Sequence, residues 1–512
     1  MDRILIRNGL IRTIKVHPLD NVAIPVENAP GGSEFAGGLR CREDIPQGHK
    51  VSLTNLKKGD AVIRYGVSLG KLRQDAPAGT HIGEHILELP KAPGLDELPW
   101  GNSITVSLPK APVTVFDGYE VPGNFFAGTR NILGIMSSVQ CVAGVLNVAV
   151  EKIKTELLPK YPAVDDVVAI NHAYGCGVAI NTRDAAIPIR TLKNLLHNPN
   201  FGGELMVVAL GCEMLTLDML LRPEENISEN VIVLQNQQGF HGMIDAILGM
   251  AEGKLQKLNR RKRVSLPLER LCIGLQCGGS DAFSGITANP AAGYASDLLV
   301  GAGGTAIFSE VTEVRDGAAF LSARCIDRET SQKLARELGW YDAYLEQGGT
   351  DRSANPSPGN KQGGLVNIME KAMGSIAKSG NAPIVEVLAP GETPAKRGLI
   401  FAATPAGDFL CGPLQLAGGI TLQVFMTGRG TPYGLAPAPV IKVSSRTALK
   451  NIWQDLIDID AGTIAAGEET IEETGLRLFN MIIETASGRH KPWAEVYRLC
   501  NDLAIFDPTA AT

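Results

Sequence analysis

The chain has 512 residues, of which 44% are apolar and 20% charged, as in globular proteins that are too long for a single core. Its net charge of −6 gives no support for nucleic-acid binding, and its nine irregularly spaced cysteines argue against a secreted disulfide framework. Because no apolar run suits a signal peptide or a membrane span, we expect a cytoplasmic protein that binds neither nucleic acid nor membrane.

Residues 1–90 are predicted to form a small all-β module. Short apolar strands such as Val22–Val26 and Ala61–Tyr65 alternate with Gly and Pro, and no long helix fits. Residues 91–117 follow as a proline-rich linker. Turns of the module carry four histidines that could supply ligands to a shared cleft: His17, His49, His81 and His85.

From residue 118 the pattern changes to strands that alternate with helices, which predicts α/β domains with mainly parallel sheets. We place one such domain at 118–347 and a second at 348–512. The second begins with a polar stretch, 348–364, that is too long for an ordinary connection and therefore suggests a binding loop.

Four apolar strand candidates end within a few residues of a cysteine. These cysteines are Cys141, Cys176, Cys212 and Cys277. Because the carboxyl ends of parallel strands share one edge of a sheet, we expect the four thiols to converge there as metal ligands. The alternative is that each is a small buried residue in a Gly-rich turn. His172 precedes Cys176 by four residues and is a further candidate for a ligand or a base.

Polar groups suited to a hydroxylated acid follow two strands and lie in the 348–364 stretch. Arg429 stands between glycines after the strand Ile420–Phe425, and its planar guanidinium can bind a carboxylate with two hydrogen bonds. Lys361 is a second cationic candidate. The other predicted substrate-binding residues are Ser280, Asp281, Ser284, Asn289, Asn360 and Thr431.

Nine motifs, in order along the chain, resemble the altronate/galactarate dehydratase family, to which sulfolactate lyases are related. They are HPLDNVA (17–23), IPQGHKV (45–51), VIRYG (62–66), GTRN (128–131), NHAYGCG (171–177), LGCE (210–213), QCGGSDAFSGITANP (276–290), NPSPGNKQGG (355–364) and TGRGTPYG (427–434). The resemblance implies an N-terminal SAF-type module, α/β domains behind it, and elimination of water from a sugar acid with ferrous iron.

Further segments, among them WYDAYLEQGGTDRSANPSPGN and GEETIEETG, resemble the galactarate branch of the family. The substrate implied is therefore galactarate and the product 5-dehydro-4-deoxy-D-glucarate. Two alternatives stay open: a dehydratase for altronate or another aldonate or aldarate, and an inactive protein that only binds a sugar acid or a metal.

The reaction implied by the resemblance needs a base for the proton next to the carboxylate, a cation that stabilises the developing charge, and a proton donor for the leaving hydroxyl. We predict His172 as base or metal ligand, Tyr174 or Lys50 as donor, and Arg429 as a clamp on the distal carboxylate. His49 would reach in from the β-module as a ligand. Fe²⁺ is the predicted metal, but the thiols keep an iron–sulfur cluster open as the alternative. We also expect a homo-oligomer.

Overall fold

The structure is a computed structural model that describes residues 10–35, 37–96, 98–101 and 106–509. The first nine residues of the predicted β-module lie outside this range. Within it the module is all-β apart from one short 3₁₀ turn, with two antiparallel sheets ordered β1-β2-β3-β6 and β4-β5-β7. The strands are β1 (Thr13–Ile14), β2 (Val22–Pro25), β3 (Lys50–Ser52), β4 (Ala61–Arg64), β5 (Val67–Leu72), β6 (His81–Ile82) and β7 (Leu87–Glu88).

A four-stranded parallel sheet, ordered β10-β9-β11-β12, forms the centre of the middle part of the chain. Two further strands, β8 and β13, flank it in sequence and pair with each other in antiparallel fashion. The strands are β8 (Val115–Gly118), β9 (Ile132–Ser137), β10 (Asp166–Ile170), β11 (Val207–Ala209), β12 (Val231–Val233) and β13 (Val264–Pro267). The helices are α1 (Ala143–Lys152), α2 (Ala186–Leu196), α3 (Leu217–Leu220), α4 (Ile227–Asn230) and α5 (Gly239–Leu258).

The rest of the chain is built on a seven-stranded parallel sheet, ordered β16-β17-β15-β14-β18-β19-β20. All seven residues of β14 are buried, because helices cover both faces of a parallel sheet, and all but Gln276 are apolar or glycine. The strands are β14 (Cys272–Gly278), β15 (Thr305–Phe308), β16 (Ile384–Leu388), β17 (Leu399–Ala402), β18 (Leu422–Thr427), β19 (Val440–Ser444) and β20 (Ile459–Asp460).

Ten helices accompany this sheet in the described chain. Among them, α6 and α14 make the most extensive contact. The ten helices are α6 (Ala288–Gly301), α7 (Ala318–Ser322), α8 (Arg328–Gln347), α9 (Pro358–Gln362), α10 (Ile368–Ile376), α11 (Asp408–Ala417), α12 (Thr447–Ile452), α13 (Gly462–Ala466), α14 (Ile471–Ala486) and α15 (Trp493–Val496).

The predicted fold class, a small β-module followed by α/β parts with parallel sheets, is confirmed. The predicted division at residues 347 and 348 falls inside the seven-stranded sheet, between β15 and β16. The two parallel sheets are instead separated along the chain between β12 and β14. None of the described helices is both long and apolar enough to cross a membrane.

Candidate active site

The seven-stranded sheet has a topological switch point beside β14. After β14 the chain builds β15, β16 and β17 on one side and then returns to place β18 on the other side. Open α/β sheets bind their ligands at such a point, outside the carboxyl ends of the strands. Here the loops 279–287 and 428–434, together with the segments 46–50 and 360–364, surround what we call the switch-point crevice.

Asp281 fixes the shape of the loop after β14. One carboxylate oxygen accepts hydrogen bonds from the backbone N–H of Phe283 and Ser284, at 3.1 and 2.9 Å, and from the hydroxyls of Ser284 and Ser445, both at 2.9 Å. The other oxygen pairs with Arg446 at 2.8 Å. Asp281 is buried and fully engaged within the protein, so it positions the crevice wall rather than offering a free carboxylate.

The β-module forms the roof of the crevice. Gly48 approaches so closely that a Cβ atom there would lie 3.2 Å from the ring of Phe283. Next to it, His49 Nε2 lies 3.3 Å from the carbonyl oxygen of Gln362. Arg64 donates from the same module to the carbonyl of Ala282 at 3.1 Å. The module is therefore docked directly on the loops at the carboxyl ends of the strands.

A buried ion cluster anchors this roof. Lys50 Nζ lies 2.5 Å from Glu370 Oε1 and also donates to the carbonyl of Gly364, while Arg64 Nε lies 3.2 Å from the same carboxylate oxygen. Burial lowers the pKa of Lys50 to about 8, and Glu370 opposes that shift. Since the Lys50 side chain is fully enclosed and paired, its position fits an anchor of the β-module better than a donor that meets substrate.

A small cavity lies beneath the crevice, between Tyr65, Ser280, Asn289 and Lys371. Its volume of about 10 Å³ admits one water molecule at most, so a six-carbon acid does not fit there. The crevice opens on the solvent side of this cavity.

The groups that face solvent at the crevice are cations, an imidazole and a hydroxyl. Arg429 is exposed, with one long hydrogen bond of 3.4 Å to the side chain of Gln362. Lys361 is half-buried and pairs with Glu84 at 2.5 Å. Thr431 Oγ1 lies 3.1 Å from the position that a Cβ on Gly279 would take, which places it against the loop after β14.

His49 belongs to a histidine pair at the edge of the crevice. Its Nδ1 lies 3.0 Å from Nε2 of His81. Burial lowers the pKa of both imidazoles, that of His81 to about 4, so both rings are neutral near pH 7. Nε2 of His49 then donates to the Gln362 carbonyl, and Nδ1 accepts the proton of His81.

A second polar cluster is fully buried behind β14. The ligand atoms of Cys277, Glu310 and Glu313 lie within 4.8 Å of one another, so this group could hold a metal ion. Two lysines already contact it. Lys378 Nζ lies 2.5 Å from Glu310 and 3.2 Å from Cys277 Sγ, and Lys371 Nζ lies 2.8 Å from Glu313.

Two ammonium groups lie against the acidic side chains of this buried cluster. Burial raises the pKa of the Cys277 thiol and keeps it protonated, while Lys378 pairs with Glu310 and Lys371 with Glu313. Burial and Glu313 raise the pKa of Glu310, whereas Lys378 opposes that shift. A divalent ion could enter only if the Lys378 ammonium moved or lost its proton.

His172 and Tyr174 lie in the middle part of the chain, after β10. His172 is 2% exposed, and its Nε2 donates to the carbonyl of Ser137 at 2.6 Å. Burial lowers the pKa of His172 to about 4 and raises the pKa of Tyr174 to about 12. Tyr174 packs in an apolar cluster. Both side chains are therefore packed in the core. These contacts do not support the predicted roles of His172 as base and Tyr174 as proton donor.

The expected convergence of four thiols is wrong. Cys141, Cys176 and Cys212 follow the neighbouring strands β9, β10 and β11 and are exposed, whereas Cys277 is buried at the end of β14 in the other sheet. The argument that parallel strands end at a common edge holds only within one sheet. Cys277 therefore cannot share a site with the other three through this geometry, and His49 is on a third element, the β-module.

Family models match almost the whole described chain. The SAF domain of altronate/galactarate dehydratases matches residues 11–90, the second domain of D-galactarate dehydratase/altronate hydrolase matches 118–259, and the C-terminal D-galactarate/altronate dehydratase domain matches 268–510. A galactarate dehydratase (L-threo-forming) of Escherichia coli K12 is 53% identical over 98% of this chain and 97% of its own. The chain belongs to the altronate/galactarate dehydratase family.

Other relatives of this dehydratase family member are more distant. An altronate dehydratase of Bacillus subtilis is 31% identical over 93% of this chain and 95% of its own. The (2R)-sulfolactate sulfo-lyase subunit beta of Chromohalobacter salexigens is 32% identical over 50% of this chain and 66% of its own. The family resemblance predicted from the nine motifs is thereby confirmed.

The structure of this dehydratase family member gathers the predicted substrate-binding residues around one crevice, but in two groups. Arg429, Lys361 and Thr431 reach its open side. The others are mostly buried and bonded to protein: Asn360 donates to the carbonyl of Ser280 at 2.8 Å, and Asn289 donates to that of Gly374 at 2.9 Å. Ser284 is bonded to Asp281. Ser280, Asp281, Ser284, Asn289 and Asn360 therefore shape the wall.

Sequence reasoning missed the cations that hold the site together. Arg446 follows β19 directly, so the strand-end argument that found Arg429 also applied to it. Lys371 lies three residues after Ile368, on the apolar face of α10, where a charged residue signals a buried partner. Glu370, the partner of Lys50, lies on the same helix, and its distance of 320 residues from Lys50 along the chain hid the pair.

Proposed function

We propose that this member of the family is a galactarate dehydratase, which eliminates water from galactarate to give 5-dehydro-4-deoxy-D-glucarate. The observation that carries the proposal is the switch-point crevice, where the cationic Arg429 and Lys361 and the imidazole of His49 meet under the docked β-module. The near full-length identity of 53% to a relative of that name supports the choice of sugar acid.

Arg429 is proposed to bind one carboxylate of the diacid. Its guanidinium has a single long hydrogen bond, to Gln362, so only this weak contact is lost when substrate binds. A planar guanidinium holds a carboxylate through two parallel hydrogen bonds, which fixes the orientation of the acid as well as its position. Lys361 supplies a second positive charge if it leaves Glu84.

We move the proton-transfer role from His172 to His49. His49 lies at the crevice, is neutral near pH 7 and carries its proton on the nitrogen that now contacts the Gln362 carbonyl. Once substrate takes the place of this carbonyl, the tautomer with its proton on Nδ1, towards His81, leaves Nε2 free to take the proton next to the carboxylate. The imidazolium so formed then gives this proton to the leaving hydroxyl, which departs as water. His81 holds the ring in the required orientation through Nδ1. Such help is worth about a hundred- to ten-thousand-fold in rate.

Iron belongs to the proposal as well. Bound near the substrate carboxylate, a divalent cation would neutralise the charge that develops when the neighbouring proton is removed. The buried group of Cys277, Glu310 and Glu313 has suitable donor atoms, but the Lys378 ammonium lies among them. The exposed thiols after β9, β10 and β11 are the second set with iron-binding chemistry. A cytoplasmic location fits nine unpaired cysteines, and a homo-oligomer remains a prediction.

The test is an anaerobic assay of the full chain with ferrous iron, in which formation of keto acid is measured from galactarate, altronate, glucarate and sulfolactate in parallel. We expect the highest kcat/KM with galactarate. Faster turnover of altronate contradicts the substrate assignment, and no turnover of any acid favours an inactive binding protein. His49→Gln should lower kcat by about a hundredfold or more, whereas His241→Gln, an exposed control, should not change it.

A further inference from the structure

Three loops of the four-stranded sheet each carry an exposed cysteine beyond the carboxyl end of a strand. We propose that Cys141, Cys176 and Cys212 bind an iron–sulfur cluster, each thiolate on a different iron. The inference deepens the proposed function, on which it rests for the choice of iron, and it separates the iron site from Cys277.

The sheet topology places the three cysteines side by side. β9 lies between β10 and β11, and all three strands are parallel, so their carboxyl ends lie at one edge. Cys141 follows β9 by four residues, Cys176 follows β10 by six and Cys212 follows β11 by three. Each cysteine thus lies in the loop that leaves the same edge of the sheet.

Direct contacts join the three loops. The carbonyl of Gly175 accepts hydrogen bonds from the backbone N–H of Met214 at 2.8 Å and of Leu215 at 3.2 Å. On its other side Gly175 packs so tightly on Ser138 that a Cβ would lie 2.4 Å from the Ser138 carbonyl oxygen. Residues within three positions of each cysteine are therefore in mutual contact.

The Glu213 side chain connects two of these loops through hydrogen bonds. Ser138 donates its hydroxyl to this carboxylate, and the backbone N–H groups of Leu210, Gly211 and Cys212 donate to it at 3.1, 2.6 and 2.9 Å. Glu213 therefore ties the β9 loop to the β11 loop and fixes the backbone that carries Cys212.

Exposure distinguishes these thiols from the structural ones. Cys41, Cys272, Cys277, Cys325 and Cys411 are buried, as packing residues are, whereas Cys141, Cys176 and Cys212 are exposed. The edge thus offers three accessible sulfurs with no role in packing.

The separation of the three sulfurs argues against a single tetrahedral ion. Thiolates around one tetrahedral metal, at about 2.3 Å from it, are about 3.8 Å from one another. In the part of the chain that the structure describes, the sulfurs of Cys141, Cys176 and Cys212 do not form a set within 4.8 Å. A cluster spreads its ligands over separate irons, so its thiolates stand farther apart. Each of the three thiols loses its proton when it binds iron. In a cluster of four irons, the fourth iron would have no cysteine ligand.

The test is chemical analysis of the full chain, purified anaerobically and reconstituted with ferrous iron and sulfide. We expect iron and acid-labile sulfide in equal amounts, with visible absorption and an electron paramagnetic resonance signal after reduction. Cys141→Ser, Cys176→Ser and Cys212→Ser should each lower sulfide content by about fivefold or more, whereas Cys500→Ser, the exposed cysteine that follows none of these strands, should retain it. Unchanged melting temperatures show that the variants are folded.

Two results would overturn the assignment: wild-type chain that holds iron without sulfide, or a triple Cys141/Cys176/Cys212 serine variant with unchanged sulfide. Galactarate turnover is measured on the same samples. A chain that holds the cluster but turns over no sugar acid contradicts the proposed function and supports the cluster site. Turnover by a chain without sulfide supports the function and contradicts the cluster.

Discussion

At the scale of single residues, Arg429 is the cation with the most freedom to bind substrate. We expect Arg429→Ala to lower kcat/KM for galactarate by about ten- to a hundredfold, because a hydrogen-bonded charge pair contributes roughly 1.5–3 kcal/mol. Arg429→Lys should recover only part of this, since an ammonium cannot make the two parallel bonds. Steady-state kinetics of both variants measure kcat/KM.

The control is Arg336→Ala, which removes an exposed arginine on α8 instead of the one in the loop after β18. It should leave kcat/KM unchanged. Equal kinetics for the wild type and Arg429→Ala would exclude Arg429 as the carboxylate anchor. Because Arg429 is exposed, neither of its variants should shift the melting temperature by more than a degree or two.

The second prediction for a single residue concerns His172 and the pH dependence of the free energy of unfolding. Its pKa falls from 6.5 to about 4 on burial, so the unfolded chain binds a proton between these values and the folded chain does not. Stability is therefore full above pH 6.5 and falls as the pH is lowered towards 4, by about 3 kcal/mol from this group.

Urea unfolding of the wild type and of His172→Gln between pH 7 and pH 4 measures this contribution. The glutamine keeps a donor for the Ser137 carbonyl but does not titrate, so the variant should lose less stability over this range. His241→Gln, an exposed control, should follow the wild type. Parallel curves for the wild type and His172→Gln would show that His172 is not buried as a neutral ring.

At the scale of elements, the positions of the strands could be predicted from the sequence, but their pairing into sheets could not. Apolar runs such as Ile132–Met136 and Leu271–Leu275 correspond to β9 and β14, because strands buried on both faces are apolar without interruption. Which strands share a sheet depends on contacts distant in sequence, and periodicity carries no such information. For that reason the prediction joined Cys277 to three thiols of another sheet.

The candidate site shows the same limit. Arg429, Lys361 and Thr431 were found because strand ends and polar loops carry ligands in α/β folds. The pairing of Lys50 with Glu370 was not found, since it links the β-module to α10 across the whole chain. Without that pair, the position of the module over the crevice could not be derived, and Lys50 was predicted to donate a proton.

The docking of the 46–50 loop on the 360–364 segment gives a prediction at this scale. Gly364 has a φ of +98°, and a Cβ there would lie 2.4 Å from the carbonyl oxygen of Gly48. Gly364→Ala should therefore lift the roof of the crevice, lower kcat/KM by about tenfold or more and expose the linker to proteases. Limited proteolysis and kinetics measure the two effects.

Gly359→Ala is the matched control in the same segment. A Cβ at Gly359 has ordinary space, with the nearest atom at 3.9 Å, and its φ is not in the left-handed region. It should behave as the wild type. If Gly364→Ala kept both full activity and full resistance to proteases, close docking of these two loops would not be needed for the reaction.

At the scale of the whole molecule, the β-module is held to the rest of the chain by more than the linker. Besides the Lys50–Glu370 pair, Arg64 donates to the carbonyl of Ala282 and Asn367 donates to that of Leu69 at 2.7 Å. Arg446 reaches Gln47 at 3.4 Å. These contacts are mostly buried and polar, so they fix one docked position of the module over the crevice.

We therefore expect the molecule to survive a break in the linker. Two polypeptides that end and begin at Gly101, produced together, should copurify and retain at least half of the galactarate turnover, because the buried contacts remain and only the effective concentration of the module is lost. Glu370→Gln should separate the pieces, since it leaves Lys50 and Arg64 buried without their partner, at a cost of about 3–5 kcal/mol. Size-exclusion chromatography of both preparations decides the matter. Pieces that separate without this substitution, or that stay together with it, would show that the ion cluster is not what holds the roof on the crevice.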